Sequence, residues 1–212
     1  MKAMRRAAIL VLVLALAVAG CGGALLPTPP APPDLYRLSP ATDVPASGTR
    51  VTAQLLVGEI AASGALDTTR IALAPSLTRV EYYANAEWTD RAPTLVQSLL
   101  LDTLRRSDRF ARVAQRSLAF HADYLVLGTL RHFEADYHAG TPPQIRVAID
   151  LQLLRMPDGD ILAQRRFSAT VPATQNTVSA AAEAFDAATH RALGDVPSWI
   201  AGALPRSATK QP

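Results

Sequence analysis

Residues 145–171 read IRVAIDLQLLRMPDGDILAQRRFSATV, and this stretch decides the fold. Ile145, Val147, Ile149, Leu151 and Leu153 alternate with Arg146, Asp150 and Gln152, a period of two that buries one face of a strand and wets the other. Asp158-Gly159 marks a tight turn, and residues 161–171 return antiparallel. The register of this hairpin is well fixed, because a one-residue slip turns the apolar set to solvent.

Working upstream, residues 123–133 form a long strand in which Tyr124, Val126 and Leu130 share a face opposite Leu125, Leu127 and Phe133. Both faces are apolar, so the strand is predicted to be central. Residues 110–114 are a short strand, and 51–60, rich in Val, Leu and Ile, a buried one. Residues 70–74 and 78–83, separated by Pro75, predict a strand pair near a sheet edge, where proline is tolerated. A helix follows Asp90 as N-cap, with Pro93 in its first turn and Ala92, Leu95, Val96, Leu99, Leu100 and Thr103 as its apolar stripe. Arg105, Arg106 and Arg109 gather at its end, where cations meet the negative end of the helix dipole.

Downstream, a helix is predicted over 177–193, with Ala181, Phe185, Ala188 and Ala192 along one flat face. Gly194 is its expected C′ residue, and Asp195 caps a short second segment with Pro197 in its first turn. Val196, Trp199, Ile200 and Leu204 pack that segment back. The expected class is therefore α+β: a single domain, residues 36–205, with a mixed or antiparallel β-sheet backed by two main helices and a loose tail over 206–212.

The other end of the chain carries a different pattern. Lys2, Arg5 and Arg6 precede an unbroken apolar run over 7–19, about 13 residues long and too short to span a ~30 Å bilayer core. Residues 1–20 thus read as a removable export signal. The run closes on Val18-Ala19-Gly20-Cys21, which looks like a lipobox, with cleavage between Gly20 and Cys21 and lipidation of Cys21. As the sole cysteine, Cys21 has no disulfide partner within the chain. Several acyl chains on it make a lasting anchor, whereas one alone binds marginally. Residues 21–35 then form the lipidated cysteine and a Pro-rich tether, with prolines at 27, 29, 30, 32 and 33. In polyproline II form, at ~3.1 Å per residue, the tether reaches up to roughly 40 Å. Gly22, in place of the aspartate that resembles an inner-membrane retention signal, favours delivery to the outer membrane, facing the periplasm.

Charge excludes one class of partner. The chain holds 21 Lys plus Arg against 18 Asp plus Glu, and the loss of Lys2, Arg5 and Arg6 cancels the net +3. A neutral mature protein offers no field for nucleic acid. Catalytic patterns are also missing: there is no G-x-S-x-G elbow and no phosphate-cradling glycine loop, so the chain is not itself the ATPase of a system. His121, His132, His138 and His190 lack zinc-ligand spacing. Glu134 and Asp136, two apart on one strand face, are the nearest thing to a carboxylate pair for acid-base work, and they read more readily as a solvated rim. The expectation is no enzyme, no cofactor and no metal. Tyr82, Tyr83 and Trp88 more often serve as core or interface aromatics than as a ligand cage, and as an aromatic group ahead of a helix cap they are the candidate partner surface.

With this order of elements in place, the chain resembles the ABC-type transport auxiliary lipoproteins, the PqiC-like family. The resemblance rests on Cys21 with the proline stretch and Tyr36-Arg37-Leu38, on Leu66-Asp67-Thr68-Thr69-Arg70-Ile71, on Val80-Glu81-Tyr82-Tyr83 and on Trp88-Thr89-Asp90-Arg91-Ala92-Pro93. Phe110-Ala111-Arg112-Val113, Ala122-Asp123-Tyr124-Leu125 and the alanine-rich helix ending near Trp199 complete it. Glu87 departs from the pattern, where family members often carry arginine before the tryptophan. The resemblance implies a fold like the TolB amino-terminal domain. It also implies partnership with an MCE-domain protein, an ABC permease and an ATPase in lipid traffic between inner and outer membranes. The expected role is docking or tethering without catalysis. The alternatives are a lipid-binding carrier with its own apolar cavity and a structural envelope scaffold, and a homo-oligomer stays open.

Overall fold

The computed structural model describes residues 31–41, 49–115 and 121–205, and the described residues form eight strands and three helices. The expected signal, Cys21, most of the tether and the tail over 206–212 lie outside the described residues. In chain order the elements are β1 (Asp34–Tyr36), β2 (Val51–Ala62), β3 (Arg70–Ser76), β4 (Arg79–Trp88), α1 (Ala92–Arg106), β5 (Phe110–Gln115), β6 (Tyr124–Asp136), β7 (Gln144–Arg155), β8 (Ile161–Pro172), α2 (Val178–Leu193) and α3 (Val196–Ala203). The protein is α+β, a single mixed sheet with its helices on one face.

β6 organises the sheet. One of its edges takes β7 antiparallel along its whole length, from Tyr124 opposite Arg155 to Asp136 opposite Gln144. Its other edge is shared: β2 lies parallel to the first half, Leu55 opposite Tyr124, and β3 parallel to the last residues, Leu73 opposite Ala135. β5 extends the sheet beyond β2, and β4 then β1 extend it beyond β3. On the far side β7 and β8 form the expected antiparallel hairpin, with Ile149 opposite Phe167 and Gln144 opposite Pro172. Gly159 takes φ +75°, and its N–H donates to the Arg155 carbonyl at 2.8 Å to close the turn.

Bulges decide which side chains enter the core. In β6 the pairing slips between Leu130 and His132, so one residue is absorbed and Phe133 turns to the same side as Tyr124, Val126 and Leu130. Strict alternation had placed Phe133 on the opposite face, and the bulge is the physical reason it is not there. In β2 the pairing slips between Val57 and Ile60. The buried Gln97 of α1 donates its Nε2 to the Gly58 carbonyl there at 2.5 Å, so the distorted backbone keeps a partner.

The covered face is the core. α1 lies over β2 and β5, α2 over β7 and β8, and α3 against β8. Ala181, Phe185, Ala188 and Ala192 of α2 are all buried, and the alanines let the helix approach the sheet closely. Phe185 meets Phe133 at 4.8 Å and Trp88 at 5.2 Å between ring centroids, and Trp88 meets Phe133 at 5.5 Å. Three elements distant in sequence are joined by this one aromatic contact. Trp199 of α3 stacks edge-on against Phe167 at 5.3 Å.

Helix ends differ from expectation in two places. The N-cap of α1 is Arg91, not Asp90, and the Asp90 carboxylate accepts instead from the Arg91 N–H at 2.6 Å. Gly194 is right-handed, φ −57°, because the chain passes almost directly from α2 into α3 and needs no left-handed stop. Thr177 caps α2, accepting from the Ala180 N–H at 3.3 Å. β1 is an addition: three residues at the expected tether boundary pair parallel with β4, Asp34 opposite Ala86 and Tyr36 opposite Trp88.

Removing the ring that joins β4, β6 and α2 leaves a cavity that close-packed neighbours fill only in part. Phe185→Ala is expected to lower the stability of the mature protein by about 3–5 kcal/mol, read from its urea unfolding midpoint.

Candidate functional site

The aromatic group singled out in the sequence divides. Trp88 is 1% exposed and belongs to the core, so it offers nothing to a partner. Tyr83 is half-buried, and its hydroxyl shares a 2.9 Å hydrogen bond with Tyr137, whose hydroxyl also donates to Asn176 at 2.8 Å. Burial, and then the Tyr137 bond, push the Tyr83 phenol well above its ordinary pKa. Tyr82 points elsewhere: the Arg70 guanidinium sits 3.8 Å over its ring, and its hydroxyl donates to the Ala65 carbonyl at 3.2 Å. Asn85 has φ +52°, and pairing jumps from Ala72–Tyr82 to Arg70–Glu87 across it. That bulge breaks the alternation between Tyr82 and Trp88, a separation no periodicity in the sequence reveals.

Three of the stretches that carry the family resemblance converge on one junction. Trp88 N–H donates to Thr69 O at 2.7 Å, and Ala92 N–H to Thr68 O at 3.1 Å. Arg91 pairs with Asp67 at 3.0 Å, and Thr69 Oγ1 donates to Glu87 Oε2 at 3.1 Å. Thr89 N–H donates to Tyr36 O at 2.8 Å, which ties β1 to the same place. Glu87, the departure from the family pattern, is thus held inside the junction. Beyond β1 the chain is fastened to both long helices. Ser39 donates through its N–H and its hydroxyl to the two Asp186 oxygens, each at 2.7 Å, and Ala41 N–H donates to Asp102 at 2.9 Å.

The face of the sheet away from the helices carries half-buried Leu56, Leu125, Leu127 and Leu154 beside a polar row. Asp150 anchors that row, accepting two bonds from Arg166, at 2.6 and 3.0 Å, and one from Arg131 at 2.8 Å. Arg166 chiefly, then Arg131, holds the Asp150 carboxyl down at about 2. These residues, with Glu59, Gln152 and Gln164, line an open groove of 650 Å³. A second open groove, of 1050 Å³, lies between β2 and the start of α1, lined by Gly58, Ile60, Pro93 and Gln97.

His132, His190 and the paired carboxylates are engaged with neighbours. Glu134 is buried, taking the Phe133 N–H and His132 Nδ1, each at 2.7 Å, while Asp136 accepts from Arg146 and from the His138 N–H. They do not stand as a free solvated rim. Among the described residues no group of three His, Cys, Asp or Glu is arranged to hold a metal ion.

A family model described as ABC-type transport auxiliary lipoprotein component matches residues 36–196, from β1 to the first residue of α3. The chain belongs to that family. This auxiliary lipoprotein is 28% identical over 172 residues to an uncharacterised protein of Bradyrhizobium diazoefficiens, across 80% of this chain but 45% of that protein. It therefore spans less than half the length of the curated relative it matches. Its fold resembles the crystal structure of a DUF330-family protein from Xanthomonas campestris, with a TM-score of 0.75 at 24% identity over 80% of this chain and 95% of the other. A second, uncharacterised crystal structure aligns with a TM-score of 0.63 at 14% identity, over 80% of this chain and 99% of that one.

Two outcomes follow for the auxiliary lipoprotein. Asn85→Val forces a β-branched residue into the left-handed region and is expected to destabilise by about 1–2 kcal/mol, while Asn85→Gly is tolerated, as compared by thermal unfolding. Because the Asp150 pKa is depressed, its pairing adds stability above the ordinary carboxylate range and loses it as pH falls through about 2. Asp150→Asn should lower stability at pH 7 by under about 1 kcal/mol, since both arginines are half-exposed, and the difference should vanish in acid titrations approaching pH 2.

Proposed function

We propose that this protein is a lipid-anchored, periplasm-facing accessory of an MCE-type ABC transport system, held at the outer membrane through Cys21 and acting by docking rather than catalysis. The observation that carries this reading is the family match over residues 36–196, joined to a sheet face that none of the described helices covers, with leucines beside a clamped ionic row. Such a face suits contact with a protein, because its apolar centre is flanked by polar groups already fixed in place. Partners in this reading are the MCE-domain protein and its permease and ATPase, and the cargo is lipid.

Absence of catalysis is supported by the engagement of the carboxylates. Glu134 accepts from backbone and histidine, and Asp150 from two arginines, which leaves neither poised against a nucleophile. The carrier alternative is disfavoured by the packing under the helices: Leu130, Ile149, Leu151, Leu153 and Phe185 fill that space, and both grooves described are open to solvent.

Membrane attachment and docking are separable in experiment. Cys21→Ala is expected to give a protein that folds but stays soluble or uncleaved on envelope fractionation, and that fails to restore the transport phenotype of a deletion strain. Full restoration by this variant would remove tethering from the mechanism. Recovery of MCE and permease proteins, rather than secretion components, with the crosslinked wild-type protein is the expected mark of its partners.

A further inference from the structure

Among the described residues, four of the exposed large apolar side chains mark the two opposite ends of β6. Met156 and Ile161 flank the β7–β8 turn, beside the end where Arg155 lies opposite Tyr124. Leu77, 77% exposed, and Val80, 50% exposed, belong to the turn between β3 and β4, where Ser76 pairs with Arg79. That turn projects past the other end of β6, because Ala74 of β3 is already level with Asp136. At ~3.3 Å per residue the two ends of β6 are about 40 Å apart.

β1 distinguishes between them. It runs parallel to β4, with Asp34 level with Ala86, and β4 begins at the turn with Arg79. β1 therefore has its Asp34 end directed towards the Leu77 end of β4. From Ala86 back to Arg79 the strand covers roughly 23 Å. The residues between Cys21 and β1 reach up to about 40 Å when extended, so they are long enough to let that end touch the surface where Cys21 is held.

We infer that the β3–β4 turn is a second membrane contact, in which Leu77 and Val80 enter the headgroup–acyl boundary of the bilayer that carries the anchor. This rests on the lipidation of Cys21 in the proposed function. Arg79 and Glu81 pair with each other beside the turn, so the contact adds no net charge and depends little on anionic lipid or salt. Burying one leucine favours contact by roughly ten- to hundredfold, too little for an untethered protein. An anchored chain meets the surface at an effective concentration of about millimolar, where so weak a contact becomes populated. The domain then docks turn-first, with the β7–β8 turn directed away from the bilayer.

The test uses the lipidated full chain in vesicles of phosphatidylethanolamine and phosphatidylglycerol. Cys21 is the sole cysteine and is blocked by lipid, so Leu77→Cys and Ile161→Cys each add a single thiol for an environment-sensitive dye. Both positions are exposed, so the fold is expected to persist, as checked by circular dichroism. The expected result is a blue-shifted Leu77→Cys label, several-fold less quenched by aqueous iodide in vesicles than in detergent, beside an Ile161→Cys label equally quenched in both. Val80→Asp added to Leu77→Cys should restore quenching. A Leu77→Cys label that stays as wet as the Ile161→Cys label, on protein that floats with the vesicles, overturns the turn contact but leaves the anchor standing. Failure to float overturns both. Protection that persists with Val80→Asp reports the dye alone, and protection that develops without vesicles as protein concentration rises assigns the turn to a second copy; either result overturns the proposal.

Discussion

One face of β6 has to stay under the helices from Tyr124 to Ala135, although its edges are used by three different strands. A straight ladder cannot satisfy β7, β2 and β3 together while keeping every large side chain inside. The chain meets this demand by local slips: near Gly58 in β2, at Arg131 in β6 and around Asn85 in β4. Each slip changes which alternate residues face inward. The second brings Phe133 onto the covered face, the third lets Trp88 reach it, and α2 closes over both with Phe185.

The same geometry explains why short stretches far apart in sequence act as one unit. Asp67 to Thr69, Glu87 to Ala92 and Tyr36 exchange backbone and side-chain bonds at the point where β1, β3, β4 and α1 meet. Their shared duty is to fix the first strand and the first helix of the domain against the sheet. The stretches on which the resemblance rests are thus architectural at this junction, while the sheet face away from the helices carries the Asp150 row. That face is held in shape by Asp150, which accepts from two arginines on neighbouring strands at once and so cross-links them.

Most of the architecture was legible in periodicity. The hairpin, both long helices and the α+β class follow from alternation of two and of three to four residues, signals that extend over many positions. What was not legible depends on single residues. A bulge adds one residue to a strand and leaves composition unchanged, so Phe133 falls on the wrong face when 124–133 is read straight. Asn85 offered a faint sign, since asparagine tolerates positive φ better than most residues. β1 has three residues beside a proline run, too short for any period to register. Trp88 stands next to a helix start, where an aromatic reads as surface, and only the partners it meets from β6 and α2 place it inside.

Because β1 lies parallel to β4, traction on the chain ahead of Asp34 acts along the strand axis. The bonds between the two strands then bear load together in shear instead of parting one after another as in a peeled hairpin. Behind them the Ser39–Asp186 and Ala41–Asp102 bonds pass the force to both long helices. Three paired residues at the rim of the sheet thereby give the folded body a mechanical footing against tension at its amino-terminal strand.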